Sequence, residues 1–529
     1  VHDLAGLGVC KCIHALEVVI DLPLLFAQYL NARLSRLREG NSMANEESPF
    51  GALTAQAENG DAAAAMRLAE AYRHGIAVES DPSQAMQWYQ AAAQADYSPA
   101  QFAFALALRD GDGVATDRMR HLDWLMRAAS DGNHPAAMVM IGDCYRLGRG
   151  VARDPTRAVQ WYTLAAEKGH ARACYLLARA HEHGRGAARD SSLAMDFFRR
   201  SARYGYPQGQ YRLGLAYLHG EGCERDAAQA VEWFRLAAQQ GYAPAQFRLA
   251  KAMLMGTGID VRPDEAAHWM RCSAERGYLE AQHNLAYLLT CGIGAERDHA
   301  DAFRWYVQAA RRKHADSQYA VASFYLNGVA VERDLERAYR WLYRAVAKGS
   351  VKAAYRLGRL MAGGAHHGGP RLRDARYWLE VAARGGHARA PYRLGVLCAM
   401  GQGHHRDAIG AYVWFYVAAA MTGENRALKL AETVSAKLSA ADLAEAREMA
   451  RRLWGEIGPK MRRMTAERRE DTGVASDIED FMEVPDLIQA QPMPIESETN
   501  DSVPTSLWVQ EIDIGPIRPE NTGGGAHPH

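Results

Sequence analysis

Two adjacent histidine pairs, His366-His367 and His404-His405, are the side chains of this chain best suited to metal chemistry. A metal site needs three or four ligands in fixed geometry, however, and two neighbouring loop imidazoles do not supply it. Solvent-facing histidines are the expected state, with no metal and no cofactor. Gly111-Asp-Gly113, Gly148-Arg-Gly150 and Gly220-Glu-Gly222 superficially suggest phosphate cradles. A dinucleotide fingerprint follows a strand and opens a helix at once. Here each Gly-x-Gly follows a helical pattern and recurs along the chain, which marks a turn. No nucleophile and base stand in a recognisable elbow or catalytic motif. No catalytic residue is expected, and the chain does not read as an enzyme.

The remaining chemistry is recognition by arginine. Arg67, Arg212, Arg248, Arg356 and Arg393 occupy one equivalent position in a repeat that runs along the chain. Guanidiniums arranged along one surface would suit an acidic peptide. The plainer alternative is that each arginine packs its stem on a neighbouring helix.

The elements that would position these arginines follow from a period of 36 or 37 residues. Trp88, Trp124, Trp161, Phe197, Trp233, Trp269, Trp305, Trp341, Trp378 and Trp414 set it. A second series keeps step: Leu68, Phe104, Ile141, Leu177, Leu213, Leu249, Leu285, Val321, Leu357 and Leu394, each followed by Ala or Gly. Such a period signals stacked supersecondary units that bury a face only against their neighbours. Each unit reads as two helices. In 245–277, Ala245, Leu249, Ala252 and Met253 share one helical face, and Gly256-Thr-Gly258 ends that helix. Asp264, Ala266, Trp269, Met270 and Ala274 lie along the second helix. Six residues after the first loop glycine, eight of ten copies carry aspartate: Asp81, Asp117, Asp154, Asp190, Asp226, Asp298, Asp334 and Asp407. These are expected to cap the second helix, each stabilising it by roughly 1 kcal/mol. The tryptophans are expected to fill the space between units, so Trp233→Ala should open a cavity.

These residues resemble the Sel1-like repeat family. Its pattern stands almost complete in Gly148-Arg-Gly-Val151, Asp154, Ala158-Val-Gln-Trp161-Tyr162 and Ala165-Ala166-Glu-Lys-Gly169. The resemblance covers roughly residues 50–422. It implies an all-α, right-handed superhelical solenoid of α/α hairpins, and members that are mostly adaptors in signalling, envelope assembly, host interaction and protein quality control. One family branch is secreted, with a disulfide in each repeat and penicillin binding. The eight cysteines here are irregularly spaced and do not pair within hairpins, which argues against that branch and for a reducing compartment.

The expected organisation is therefore an N-terminal segment over 1–42, a capping helix over 43–61 and ten repeats over 62–422. Capping helices follow over 423–464, then an acidic disordered tail over 465–529. Arg38-Glu39-Gly40 can be encoded by a ribosome-binding sequence ahead of Met43, so 1–42 reads as lying outside the natural mature protein. The alternative is an amphipathic helix ending in Arg33, Arg36 and Arg38, the one reading that would bring a membrane into play.

Formal net charge is zero, yet Glu470–Asn521 holds 13 acids and one base, so 43–469 is strongly basic. That body mixes acids with bases and shows no stacking motif, so nucleic acid is not an expected partner. Within the tail, Leu507, Trp508, Ile512 and Ile514 are set among acids and resemble a docking peptide, opening a route to self-association. The expected function is a cytoplasmic scaffold holding a protein or acidic peptide on its concave surface. The alternatives are an envelope-associated assembly factor, periplasmic or at a membrane, for exopolysaccharide or secretion machinery, and a secreted β-lactam-binding hydrolase-like protein.

Overall fold

The computed structural model describes residues 49–472 apart from 131–132, 365–368, 402–406 and 424, with side chains described to residue 460. Every regular element among them is an α-helix. They divide between two compact units, one ending at Arg262 and one beginning at Pro263.

The first unit holds α1 (Pro49–Glu58), α2 (Ala62–His74), α3 (Pro82–Gln94), α4 (Ser98–Asp110), α5 (Arg118–Ser130) and α6 (Pro135–Leu147). It continues with α7 (Pro155–Glu167), α8 (Ala171–His183), α9 (Ser191–Arg203), α10 (Pro207–His219), α11 (Ala227–Gln239) and α12 (Ala243–Met255). The second holds α13 (Pro263–Glu275), α14 (Leu279–Cys291), α15 (His299–Arg311), α16 (Ala315–Asn327), α17 (Leu335–Ala347) and α18 (Val351–Ala362). It ends with α19 (Leu372–Arg384), α20 (Ala390–Met400), α21 (Ala408–Thr422), α22 (Asn425–Ser435) and α23 (Ala440–Thr472).

Local chemistry sets each hairpin. Helix α10 stops at Gly220, whose φ of 75° is free of the Cβ penalty other residues pay there. The chain then turns until the Asp226 N–H donates to the Tyr217 carbonyl at 2.8 Å. The Asp226 carboxylate accepts the Gln229 N–H at 3.0 Å and starts α11. All eight loop aspartates accept first-turn N–H groups in this way. Before α19, Arg371 takes the position and makes no side-chain cap.

The second loop glycine joins neighbouring hairpins. Gly258 has a φ of 71°, and a Cβ on it would lie 2.3 Å from the carbonyl carbon of Ala227, at the start of α11. The Gly-x-Gly sequences are thus turns pressed onto the previous hairpin.

The core corrects one expectation. Most marker tryptophans, Trp233 among them, are only half-buried, while the residue after each is buried: Tyr89, Tyr162, Phe234, Tyr306 and Leu342 are examples. Consecutive helical residues point about 100° apart, so the tryptophan flanks the seam and its successor enters it. Trp414 alone among the markers is itself buried. The small residue of the second series faces that successor: Gly142 lies against Tyr162, Gly358 against Leu379 and Gly395 against Phe415.

A second device recurs at the hairpin junctions. Gln101, Gln210, Gln246, Gln282 and Gln318 are buried, and each Nε2 donates to a carbonyl in the last turn of the preceding helix. The receiving residues are Ala93, Ala202, Ala238, Ala274 and Ala310, at 3.1–3.4 Å. This satisfies carbonyls that a helix end leaves without intrahelical partners.

At the ends, Phe50 of α1 meets Tyr72 of α2 edge-on at 5.8 Å. Ala431, Val434, Ala446 and Ala450 of α22 and α23 join the core around Phe415. Ser439 exchanges hydrogen bonds with Asp442, its Oγ donating at 2.7 Å and accepting the backbone N–H at 3.1 Å. The six described cysteines, Cys144, Cys174, Cys223, Cys272, Cys291 and Cys398, are free thiols.

Candidate partner-binding surface

The five arginines lie on the first helices of their hairpins: Arg67, Arg212 and Arg248 in the first unit, Arg356 and Arg393 in the second. Their surroundings differ. Arg67 is exposed, and its Nε donates to Ala63 O of its own helix at 3.3 Å. Arg212 is half-buried, pairs with Glu182 and sits 5.1 Å above the Phe198 ring. Arg248 and Arg356 are half-buried. Arg393 donates through Nε to the Tyr355 hydroxyl at 3.2 Å. The stems of Arg212 and Arg393 are thus packed, and their charged ends already have partners.

One residue before four of the five arginines runs a series of rings that the spacing of charges did not reveal; Met66 precedes Arg67. Tyr211, Phe247, Tyr355 and Tyr392 precede Arg212, Arg248, Arg356 and Arg393, and Phe102, Tyr175, His283 and Tyr319 hold the same position elsewhere. Several of these rings pack on the residue that opens the next hairpin. Phe102 stacks on His134 at 4.6 Å, and Tyr175 meets Tyr206 at 5.3 Å. Tyr211 meets Tyr242 at 5.4 Å, His283 meets His314 at 4.7 Å, and Tyr355 stacks on His387 at 3.9 Å. The 36-residue recurrence of a ring at this position was the signal available in the sequence.

Histidines at the position that opens the next hairpin cap its first helix. His134, His170 and His314 accept the N–H groups of Ala137, Ala173 and Ser317 through Nδ1 at 3.2–3.3 Å. A ring nitrogen that accepts must be unprotonated. Burial lowers the pKa of all three. It lowers His283 and His387 to about 4.

A carboxylate also joins three helices. Asp143 accepts from Arg146 at 2.8 Å, the Tyr162 hydroxyl at 2.9 Å and Arg172 at 2.6 Å. Burial alone would raise its pKa, but Arg172, Arg146 and Tyr162 outweigh that and hold it below the usual range. Its lone pairs are occupied by structural donors, so it serves packing between hairpins.

Among the described residues, no group of three His, Cys, Asp or Glu side chains is placed to hold a metal, and no helix is long and apolar enough to cross a membrane. His366, His367, His404 and His405 lie outside the described residues, as do Leu507, Trp508, Ile512 and Ile514 and the whole of 1–42.

The Sel1 repeat pattern matches residues 62–97, 135–170, 171–206, 207–242, 243–278, 279–314, 315–350, 351–387 and 388–422. The hairpin of α4 and α5 folds in the same way but falls outside the match. Its buried His121 donates through Nδ1 to Ala105 O at 2.7 Å, where the equivalent position elsewhere carries alanine, as in Ala85 and Ala158. Among solved structures, the chain is similar to c5321, a protective antigen of uropathogenic Escherichia coli displaying an SLR fold. The TM-score is 0.53 at 27% identity, over 79% of this chain and 97% of that one. It is 32% identical over 133 residues to chitin synthase regulatory factor 3 of Schizosaccharomyces pombe, covering 25% of this chain and 14% of that protein. It is 41% identical over 75 residues to the ERAD-associated E3 ubiquitin-protein ligase component HRD3B of Arabidopsis thaliana, covering 13% of this chain and 12% of that protein. The chain thus spans well under a quarter of the length of these curated relatives. With nine matched repeats on one all-α architecture, the chain belongs to the Sel1 repeat family.

Proposed function

We propose that this chain is a non-catalytic scaffold that binds a protein partner through the first helices of its hairpins. One observation carries the reading. A ring followed by an arginine recurs on α10, α12, α18 and α20, the ring half-buried at Tyr211, Phe247 and Tyr392 and buried at Tyr355, which gives each unit a row of like positions. Rings and arginines are the residue types that dominate protein interfaces. Two relatives bear the names of a regulatory factor and a ligase component, which fits an adaptor role. The preferred partner is a protein segment with acidic groups. The free thiols, several of them buried, support a reducing, cytoplasmic setting.

The test is affinity capture with the full chain and with Tyr211→Ala/Arg248→Glu, each quantified by mass spectrometry. Proteins held by the parent and released at least about tenfold by the variant, the equivalent of about 1.4 kcal/mol, support the reading. A captured set identical for both chains overturns it.

A further inference from the structure

The second unit carries a basic, aromatic patch that the repeat pattern does not call for. Trp378 of α19 is flanked by two exposed tyrosines. Tyr377 lies 4.9 Å from it, ring centre to ring centre, and is 59% exposed. Tyr343 of α17 meets it edge-on at 5.7 Å and is 43% exposed. Three rings thus form one surface cluster across two hairpins. At the position of Tyr377, every earlier hairpin has a polar, exposed residue, from Gln87 in the first to Arg340 in the eighth. A tyrosine there contributes nothing to the core and leaves a large ring in water.

Charge accompanies the rings. Helices α17 and α19 hold six arginines against three acids, and Arg337, Arg340, Arg376 and Arg384 also pair with Asp334, Glu336, Asp407 and Glu380. Arg371 and Asp374 both act electrostatically on the Tyr343 hydroxyl, so charged groups border the cluster. Arg344 sits 4.7 Å above Trp341 on the same helix. The complementary ligand is an extended or helical segment with apolar side chains among carboxylates. Residues 500–515 have that composition: Leu507, Trp508, Val509, Ile512 and Ile514 with Asp501, Glu511 and Asp513, and no base.

We propose that residues 500–515 dock on the exposed cluster formed by Tyr343, Tyr377 and Trp378. This rests on the reading of the chain as a protein-binding scaffold but uses a different face from the partner-binding positions. The tail's apolar residues cover the three rings, and its acids lie against the arginines of α17 and α19.

The experiment uses the full chain with a photoreactive p-benzoylphenylalanine replacing Tyr377, and separately Gln160, the exposed residue at the equivalent position of the third hairpin. After irradiation, digestion and mass spectrometry, position 377 should crosslink to the peptide containing Trp508. Position 160 should do so at least roughly tenfold less, the ratio that about 1.4 kcal/mol of preference yields. Leu507→Ser/Trp508→Ser should abolish the product. High salt should reduce it, since exposed charges are screened over about 3 Å at 1 M. In the chain without crosslinker, Tyr343→Ala/Tyr377→Ala should speed amide exchange across 506–514 with no change in melting temperature. Equal crosslinking from 160 and 377, no tail product from 377, or exchange in 506–514 indifferent to the double variant would each overturn the proposal. Loss of the captured partners in Tyr211→Ala/Arg248→Glu is a separate readout, so failure of tail docking is distinguishable from failure of the scaffold reading.

Discussion

A Cβ added to Gly214 would fall 2.6 Å from Cε1 of Phe234, 20 residues along the chain and on the facing helix of the same hairpin. That distance explains why the large apolar residue of the second series is always followed by Ala or Gly. The position is reserved by the ring across the hairpin, and glycine's freedom at φ plays no part.

The burial pattern separates the two adjacent aromatics of α11. Phe234 is 2% exposed, whereas Trp233 is half-buried. Phe234→Ala should therefore cost about 3–5 kcal/mol, the range for large buried aromatics. Trp233→Ala should cost clearly less despite removing a larger side chain. Urea unfolding with local hydrogen exchange checks this, and a larger loss in Trp233→Ala would contradict the assignment. Repeat arrays pass contacts only between neighbours, so exchange should rise first around α10 to α12.

Gly214→Ala gains helix propensity but forces a methyl into the Phe234 ring. Overpacking of this kind costs about 1–3 kcal/mol, against a propensity gain of about 1 kcal/mol. Net destabilisation is expected, and Phe234→Leu in the same chain should recover part of it. Additive losses in the double variant would show that the two positions do not interact.

Two hairpins place alanine where others have the second loop glycine. Ala77 and Ala330 hold φ values of 64° and 56°, in the left-handed region that costs other residues roughly 1–2 kcal/mol. Ala330→Gly should stabilise the protein, by at most about 1 kcal/mol after the entropy of the freer unfolded glycine. A melting temperature that falls would refute this.

Acid should weaken the second unit through its buried imidazoles. Burial, then the charges of Arg389, Lys352 and Arg359, lower His387 to about 4. Burial and His314 lower His283 to about 4, with Lys352 adding to this and Asp316 opposing it. Between the ordinary histidine pKa near 6.5 and pH 4, the unfolded chain binds protons that the folded chain refuses. Stability is thus complete above about pH 6.5, falls between about 6.5 and 4, and levels below. His387→Tyr should keep the stack on Tyr355, since tyrosine fills this position at Tyr206 and Tyr242, and should flatten part of that decline. Urea midpoints at pH 7, 5.5 and 4.5 measure it, and an unchanged slope would exclude His387 as a contributor.

The sequence alone determined the features that act over a few residues. The period marked the helices, the loop glycines marked where they stop, and Asp81 through Asp407 marked where the second helices begin. Each depends on backbone groups two to six positions away, so residue type and spacing suffice. The tertiary structure decided what depends on partners 16 to 38 residues distant. It placed Phe234 rather than Trp233 in the seam, because burial depends on which helical face meets the neighbouring hairpin. It engaged Arg212 with Glu182 and Arg393 with Tyr355, and it stacked Phe102 on His134 and Tyr355 on His387. Side-chain chemistry in a repeat is set by the adjoining copy, and only the stacked hairpins say which residue of that copy lies opposite.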